Sequence, residues 1–275
     1  MDRSKIISSV SDSIVWWIGE RKKKFEGLSH ESMTLNPFLV PILSEMHGLD
    51  APELLADFAL IGHFATGHAT GFGKFIDEKV LPKVFGTTKL TRKFRSDNPP
   101  FSEACFDEID HIVRHADGSV SLLSLKASKW TIQLSMAVQL NKAFSEILRL
   151  KSVGRLDFAR IRVGVIYGHD DGLTDKYDIL RGINRGAKHE VHDLRSHVEI
   201  ITGRSLWQWL NNGELQTQQW LLEGILSGIA ASRISNGAIK PCVDHFRANF
   251  IRANRKFVGV DGRLDWARML CEINP

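Results

Sequence analysis

The chain has 275 residues, 43% of them hydrophobic and 25% charged, and Lys plus Arg (36) exceed Asp plus Glu (32) for a formal charge of +4. That length can bury a sizeable core, and the composition excludes wholesale disorder, a collagen-like repeat and a polytopic membrane protein. The mild positive balance permits a polyanionic partner without requiring one.

Cys105, Cys242 and Cys271 are odd in number and widely spaced. They offer no disulfide framework and no C-x-x-C metal pair, so a reducing cytoplasm is expected. The apolar run Ile14–Ile18 is bracketed by Asp12 and Glu20. It is too short to span a bilayer and lacks a small-residue cleavage site, so neither a signal peptide nor a membrane span is expected.

Ile6, Val10, Ile14, Trp17 and Ile18 follow a helical period, and Arg21-Lys22-Lys23-Lys24 suit the end of that helix. Pro37, Pro41 and Pro52 break the next stretch, and a second helix is expected over Pro52–Phe64. Thr66–Gly73 reads as a Gly-rich loop and Lys74–Phe85 as another helix. Thr87–Pro100 reads as a basic connection. Two β-like runs follow, Phe106–Val113 and Ser119–Lys126, joined by Ala116-Asp117-Gly118, a hairpin signal. Ile132–Leu150 is expected to be a helix with a stripe of Ile132, Met136, Leu140, Phe144 and Ile147. Ile161–Tyr167 reads as a buried strand. Strand, helix, strand implies a parallel crossover, so the centre is a mixed α/β sheet carrying an antiparallel hairpin. Gly168–Lys188 is polar and Gly-rich, and Val198–Ile201 reads as a strand. Leu206–Ala231 reads as helix interrupted at Asn211-Asn212-Gly213, and the remainder is helical with turns at Asn236-Gly237 and Asp261-Gly262.

Two tempting motifs fail. Gly67 to Lys74 (G-H-A-T-G-F-G-K) has five residues between its first Gly and the Gly-Lys pair, and Phe75 follows, so it is not a P-loop. His63 and His68 are not an i, i+4 pair, and His189, His192 and His197 are scattered through a polar region, so none suggests zinc.

The hairpin is the informative place. Strand alternation puts Phe106, Glu108, Asp110 and Ile112 on one face of the first run, and Val120, Leu122, Ser124 and Lys126 on one face of the second. Carboxylates facing a lysine across a hairpin suit a hard divalent cation and a phosphate. The same spacing also arises as a solvated salt-bridge face.

The hairpin resembles the PD-(D/E)XK nuclease core, and more specifically the chain resembles the type II restriction endonucleases that cut the interrupted palindrome RGGNCCY. The stretches that carry the likeness are GFGKFIDEKVLPKVFG (71–86), CFDEIDHIV (105–113), LLSLKASKWTIQLSMAVQLNKAF (122–144), GLTDKYDILRGIN (172–184) and WLNNGE (209–214). Trp16-Trp17 and Asn36-Pro37-Phe38 also fit, and the likeness runs to about Gly224. It implies an α/β (α+β) fold with a restriction-endonuclease-like mixed sheet core, flanking helices and added N- and C-terminal helical regions. The expected division is a mainly helical region 1–70 for DNA or dimer contacts, a catalytic core 71–204 with a DNA-reading loop 168–188, and a helical region 205–275 for dimerisation.

By that resemblance Asp110 is the superfamily aspartate, Lys126 the lysine, and Ser124 stands at the usual Glu/Asp place. Ser124 removes one metal-binding carboxylate. Water, or another acid, would complete the shell: Glu78 on the preceding helix ranks first, with Glu108 and Glu146 as alternatives. The superfamily also implies that the Leu125 carbonyl ligates the metal, Mg²⁺. Products would be a 5′-phosphate and a 3′-hydroxyl. Lys89, Arg92, Lys93 and Arg95 suit phosphates, as do Lys129 and Trp130 beside the catalytic lysine. Lys176, Arg181, Asn184, Arg185 and Lys188 could read guanine edges in a G/C-rich half-site. Double-stranded DNA and a second copy of the chain are the expected partners, since a two-fold dimer reads a palindrome. Residues 2–27 and 206–272 are candidates for its interface, with Trp207, Trp209 and Trp220 as either anchors or core. A cognate methyltransferase is implied as a genetic partner, and the setting as a bacterial cytoplasm. The competing readings are a repair or junction-resolving nuclease of the same fold, and a catalytically inactive DNA-binding protein.

Overall fold

The computed structural model describes residues 1–28, 38–49, 51–184, 188–235 and 237–273. Asn36, Pro37, Arg185 and Asn236 lie outside the described residues.

Helix α1 (Arg3–Glu26) buries Ile6, Val10 and Ile14 and ends on Lys23 and Lys24, as its period predicts. Helix α2 (Val40–His47) forms where the sequence suggested only a break. Pro41 sits in its first turn, where a missing N–H costs nothing, and Gly48 closes it at φ 64°. Helix α3 (Pro52–Phe75) runs straight through the stretch expected to be a Gly-rich loop. One of those glycines has a packing reason. A Cβ on Gly73 would meet the Ala127 Cβ at 3.3 Å, so the glycine lets the helix approach the chain just past Lys126. Gly67–Lys74 is therefore helical backbone, with no loop to cradle a phosphate.

The helix widens into a π turn at Ile76–Val80 and resumes as α4 (Leu81–Phe85). Pro82 explains the widening. Its ring would crowd the carbonyl four residues back, at Glu78, and it has no N–H to donate there.

The basic connection is also structured. It holds β1 (Thr88–Lys89) and α5 (Arg92–Asp97), the latter capped by the Thr91 hydroxyl, which accepts from the Phe94 N–H at 3.1 Å. The first β-like run is split between a 3₁₀ turn at Ala104–Glu108 and β2 (His111–Arg114). The predicted hairpin then forms: the His115 N–H donates to the Ser119 carbonyl at 2.9 Å, Gly118 takes φ 83°, and β3 (Val120–Lys126) follows. Helix α6 (Leu134–Ser152) crosses over to β4 (Arg160–Val165). The expected polar loop contains a 3₁₀ turn at Asp170–Gly172 and α7 (Asp175–Leu180), which buries Tyr177, Ile179 and Leu180. After β5 (Val198–Thr202) come α8 (Gly203–Leu210) and α9 (Thr217–Ala231), separated at Asn212 (φ 53°) and Gly213 (φ 91°) as the sequence suggested. Helices α10 (Lys240–Asn254) and α11 (Trp266–Ile273) complete the chain.

Among the described residues the strands form one five-stranded sheet in the order β1-β2-β3-β4-β5. β1, β2 and β3 are mutually antiparallel neighbours, whereas β3-β4 and β4-β5 are parallel. The fold is thus mixed α/β with flanking helices. One face of the sheet, including Leu122, Ile161, Val163 and Val198, packs in a core with Ala137, Leu140, Phe144 and Ile147 of α6. Met136, expected in that stripe, is exposed, because the buried face is turned toward Ala137 and Asn141. On the other face a Cβ on Gly164 would lie 2.9 Å from both Leu123 and Leu206 methyls, so α8 packs tightly on β3 and β4. Trp207 is buried and stacks on Phe85 at 6.0 Å, which makes it core.

The chain divides into two compact units. The first joins Met1–Ile14 to Thr70–Ala231 and contains the sheet; the sequence had drawn its lines at 70 and 204. In it α9 lies against the start of α1 through Gly224, where a Cβ would come within 2.7 Å of the Val10 Cβ. The second joins Val15–Ala69 to Ser232–Pro275, with a core built on Val40, Leu55, Leu60, Phe246, Phe250 and Met269. No described helix is long and apolar enough to cross a membrane. Gly224→Ala should lower stability by about 1–3 kcal/mol despite its better helix propensity, because overpacking at Val10 outweighs it. A urea melt reads this as a lower midpoint at unchanged slope.

Candidate functional site

The hairpin register brings the nominated residues together. His111 pairs with Leu123, and the Asp110 N–H donates to the Leu123 carbonyl at 2.9 Å. Asp110 lies just before β2, and Ser124 follows Leu123 on β3. Lys126, two residues on, shares the face of Ser124. The Asp110 carboxylate then accepts the Leu125 N–H at 2.6 Å, which ties it across the end of the hairpin. Both backbone groups of one strand residue face the same neighbour, so the Leu125 carbonyl is on the Asp110 side too.

Burial pushes the Asp110 carboxyl above the usual aspartate range. The Lys126 ammonium and the Leu125 N–H pull it back, while the Asp77 charge pushes it further up. Ser124 is fully buried and its Oγ has no hydrogen-bond partner in the protein. An unmade hydrogen bond of this kind costs about 1–3 kcal/mol.

Two neighbours were not foreseen from the sequence. Asp77, in the π turn, pairs with Lys89 and accepts from His111 Nε2 at 2.8 Å. His111 is completely buried, and its Nδ1 meets the Thr87 hydroxyl at 2.9 Å. Burial alone would raise Asp77, but hydrogen bonds from His111 and Lys89 hold it below the ordinary value. His111 thus bridges Asp77 and Thr87, Nε2 to the carboxylate and Nδ1 to the hydroxyl. Asp77 adjoins Glu78 and His111 adjoins Asp110, so both were next to nominated residues. Only the register of the π turn against the sheet edge shows that they meet.

The nominated acids divide. Glu78 is half-exposed, 3.6 Å from Lys89 Nζ. Glu108 does not share a strand face with Asp110: it lies in the 3₁₀ turn, where the two-residue period does not hold, and accepts from Gln139 at 2.7 Å. Glu146 makes a surface ion pair with Arg149 at 2.5 Å.

The basic residues divide as well. Arg92 and Lys93 are exposed on α5, with no ion pair among the described residues. Lys89 is engaged by Asp77 and Glu78, and Arg95 by Asp107. Lys129 lies 5.2 Å above the ring of Trp130, which is 73% exposed. Lys176 pairs with Asp175 at 2.5 Å and Arg181 with Asp178 at 3.0 Å. Asn184 closes its own loop on the backbone of His189. Lys188 is exposed. Arg185 is not among the described residues.

The segment carrying these groups is clamped to the core. The buried Asn141 side chain donates to the carbonyls of Leu180 (3.0 Å) and His192 (2.8 Å) and accepts the His192 N–H (2.8 Å). The Tyr177 hydroxyl, pushed up to about 12 by burial, donates to the Ser128 carbonyl at 3.1 Å. This joins α7 to the turn that follows Lys126.

Among the described residues, no three His, Cys, Asp or Glu side chains gather as a metal-holding cluster. The residues present fit a different kind of centre. Mg²⁺ keeps much of its water and needs only one or two carboxylates besides a substrate phosphate. Asp110 and the Leu125 carbonyl supply oxygens of the kind Mg²⁺ takes, while Glu78 is recorded only beside Lys89. Compared with models of known protein families and with curated proteins, the chain matches none.

The raised Asp110 carboxyl predicts a stability effect whose sign is fixed. Above both its folded and unfolded pKa the buried carboxylate costs stability, and below both that cost vanishes. Asp110→Asn, whose amide oxygen can still accept the Leu125 N–H, should therefore raise the melting temperature at neutral pH. The gain should fade as the pH falls toward 3.8, the unperturbed aspartate value. Asn141→Leu should lower stability by about 1–3 kcal/mol per buried backbone group left unpaired. Hydrogen exchange should show the loss concentrated around Leu180 and His192.

Proposed function

We propose that the chain is a type II restriction endonuclease that hydrolyses double-stranded DNA, with Mg²⁺, at a G/C-rich interrupted palindrome of the RGGNCCY kind. The observation that carries this reading is the Asp110 carboxylate tied to the Leu125 N–H at the end of the hairpin, with the Lys126 ammonium acting on it. The mixed five-stranded sheet, with an antiparallel hairpin leading into a parallel crossover, is compatible with a restriction-endonuclease-like core.

In this mechanism Asp110 and the Leu125 carbonyl would hold the cation, with Glu78 as a further acid. When bound, Mg²⁺ supplies charge neutralisation at the scissile phosphate and lowers the pKa of water. Lys126 orients the attacking water and offsets the negative charge that builds on the phosphoryl oxygens. Asp77 and His111 position the edge of the sheet: their hydrogen bond holds the π turn against β2, and Lys89 balances the Asp77 charge. In-line attack releases a 5′-phosphate and a 3′-hydroxyl. Arg92, Lys93 and Lys188, without an ion pair among the described residues, suit phosphates, as does Lys129 over the exposed Trp130 ring. Arg181 and Lys176 would exchange an aspartate for DNA on binding.

A palindrome calls for two copies, one active site per strand. Leu222, Leu226 and Ile229 are exposed at helical spacing on α9 and supply an apolar face for that contact. A bacterial cytoplasm and a cognate methyltransferase as genetic partner go with this reading. The neutral Ser124 favours one alternative, a DNA-binding protein without activity, and the same assay separates the two.

Plasmid DNA incubated with the protein and Mg²⁺ should yield discrete fragments whose sequenced ends report the site. Asp110→Ala should reduce cleavage by more than about 10³-fold, and Lys126→Ala by about 10²–10³-fold. Full cleavage by Asp110→Ala would sink the assignment. The double variant Arg92→Ala, Lys93→Ala should flatten the salt dependence of DNA binding by about 0.9 per lost phosphate contact without changing sequence preference.

A further inference from the structure

The sheet carries a second concave place, at the end away from Lys126. A cleft of about 700 Å³ opens over the starts of β3 and β4, beside the last turn of α8. Ser121 lines it at the start of β3, whereas Lys126 ends that strand about 17 Å away at a strand's rise per residue. Between the two ends Leu206 of α8 packs against Leu123 and Gly164. The lining of the cleft is polar where a sheet face is ordinarily apolar. Arg160 and Arg162, two apart on β4, share one face, and both reach the cleft. β4 is an internal strand, paired on both sides, where an apolar residue is the usual choice. Arg162 is held there by the Glu199 carboxylate, which accepts from Nε at 2.8 Å, and by the Trp209 ring, whose centroid is 4.5 Å from the guanidinium carbon. Its terminal N–H groups have no acceptor among the described residues. Arg160 is exposed and has no ion pair among the described residues. His115 Nε2 meets the Ser121 hydroxyl at 3.1 Å, and its ring lies 5.2 Å from Trp209. Burial and the Arg162 charge hold the His115 imidazole below its usual range, so it adds no positive charge at pH 7.

We propose that this cleft binds a nucleoside monophosphate, with its phosphate on Arg160 and Arg162 and its base against Trp209. Guanidinium groups are matched to phosphate oxygens, and the terminal N–H groups of Arg162 are available for them. Gln208 and Asn212, at the end of α8, bring amides that both donate and accept, which suits the edge of a base. Trp209 and the buried Ile201 supply the apolar wall for its ring. Asp117, exposed on the hairpin turn at the rim, offers an acceptor for ribose hydroxyls. Charge decides against a bare anion: Glu199 offsets Arg162, and Asp117 offsets Arg160 across the cleft. A ligand must therefore bring ring and hydroxyl contacts as well as its phosphate. The cleft volume is within the range of small-molecule sites, about 300–1,000 Å³. The site is separate from Asp110 and does not depend on the nuclease reading.

The test is calorimetric titration of AMP, GMP, CMP and dTMP into the full chain, with adenosine and inorganic phosphate as partial ligands. At least one nucleotide should bind, and more tightly than either partial ligand by about 10-fold or more, because each of those forfeits the contacts of the missing part. Arg160→Ala, at an exposed position on which folding does not depend, should weaken that nucleotide by about 10-fold. Arg162→Lys keeps a charge beside Glu199 but loses the planar fork, and should weaken it by a similar factor. Trp209→Leu should cost about 5-fold or more through the lost ring contact. No binding by any nucleotide at millimolar concentration would overturn the proposal. So would phosphate or adenosine binding as tightly as the nucleotide, and so would nucleotide affinity unchanged in both arginine variants.

Discussion

The hydrogen bond from the Leu125 N–H to the Asp110 carboxylate is the constraint on which the site depends. It closes the end of the β2/β3 hairpin, where the ladder would otherwise stop at the Asp110 N–H and the Leu123 carbonyl. Slipping the pairing by one residue would turn Lys126 to the opposite face and remove it from Asp110. The hydrophobic pattern guards against that slip. Leu122 and Ile112 must enter the α6 core while Leu123 packs beneath α8. Chemistry at the end of the hairpin is thus set by apolar packing along its length.

A second set of acids reaches the same place by a different route. Gly73 lets α3 pass close to Ala127, and Pro82 widens the helix into the π turn that carries Asp77 and Glu78. Asp77 then meets His111 and Lys89, which lie on two neighbouring strands. The result balances charge locally: carboxylates at Asp77 and Asp110 are matched by Lys89 and Lys126. That balance explains why the formal charge of +4 says so little by itself. Basic residues at the edges and acids near Asp110 largely cancel in the sum.

The segment after β4 shows how a polar stretch can be ordered without a core of its own. Asn141 projects from α6 and uses its whole amide to hold Leu180 and His192, while Tyr177 reaches the turn after Lys126. Arg181 and Lys176 are thereby presented on a fixed support next to the site, each with a local aspartate partner.

Much of this was legible in the residues alone. The period of Ile6, Val10 and Ile14 marked α1, Asp117-Gly118 marked the hairpin turn, and strand–helix–strand spacing marked the parallel crossover through α6. The hairpin residues Asp110, Ser124 and Lys126 could be set on facing strands for the same reason: turn chemistry and side-chain alternation are local properties. Local rules failed where a distant partner decided. Glycines at 67–73 read as loop, yet Gly73 serves a helix packed on Ala127. Glu108 was placed on a strand face by counting in twos, but a 3₁₀ turn occupies that stretch. Lys89 and Arg95 read as free cations because their partners, Asp77 and Asp107, are 12 residues away in each case. The sequence by itself determined α1, the hairpin turn and the parallel crossover through α6, because these follow from neighbours along the chain. Only the tertiary structure decided that Asp77 and His111 meet, that Ser124 is buried without a partner, and which cations remain free, because those outcomes depend on contacts between segments whose separation no local pattern records.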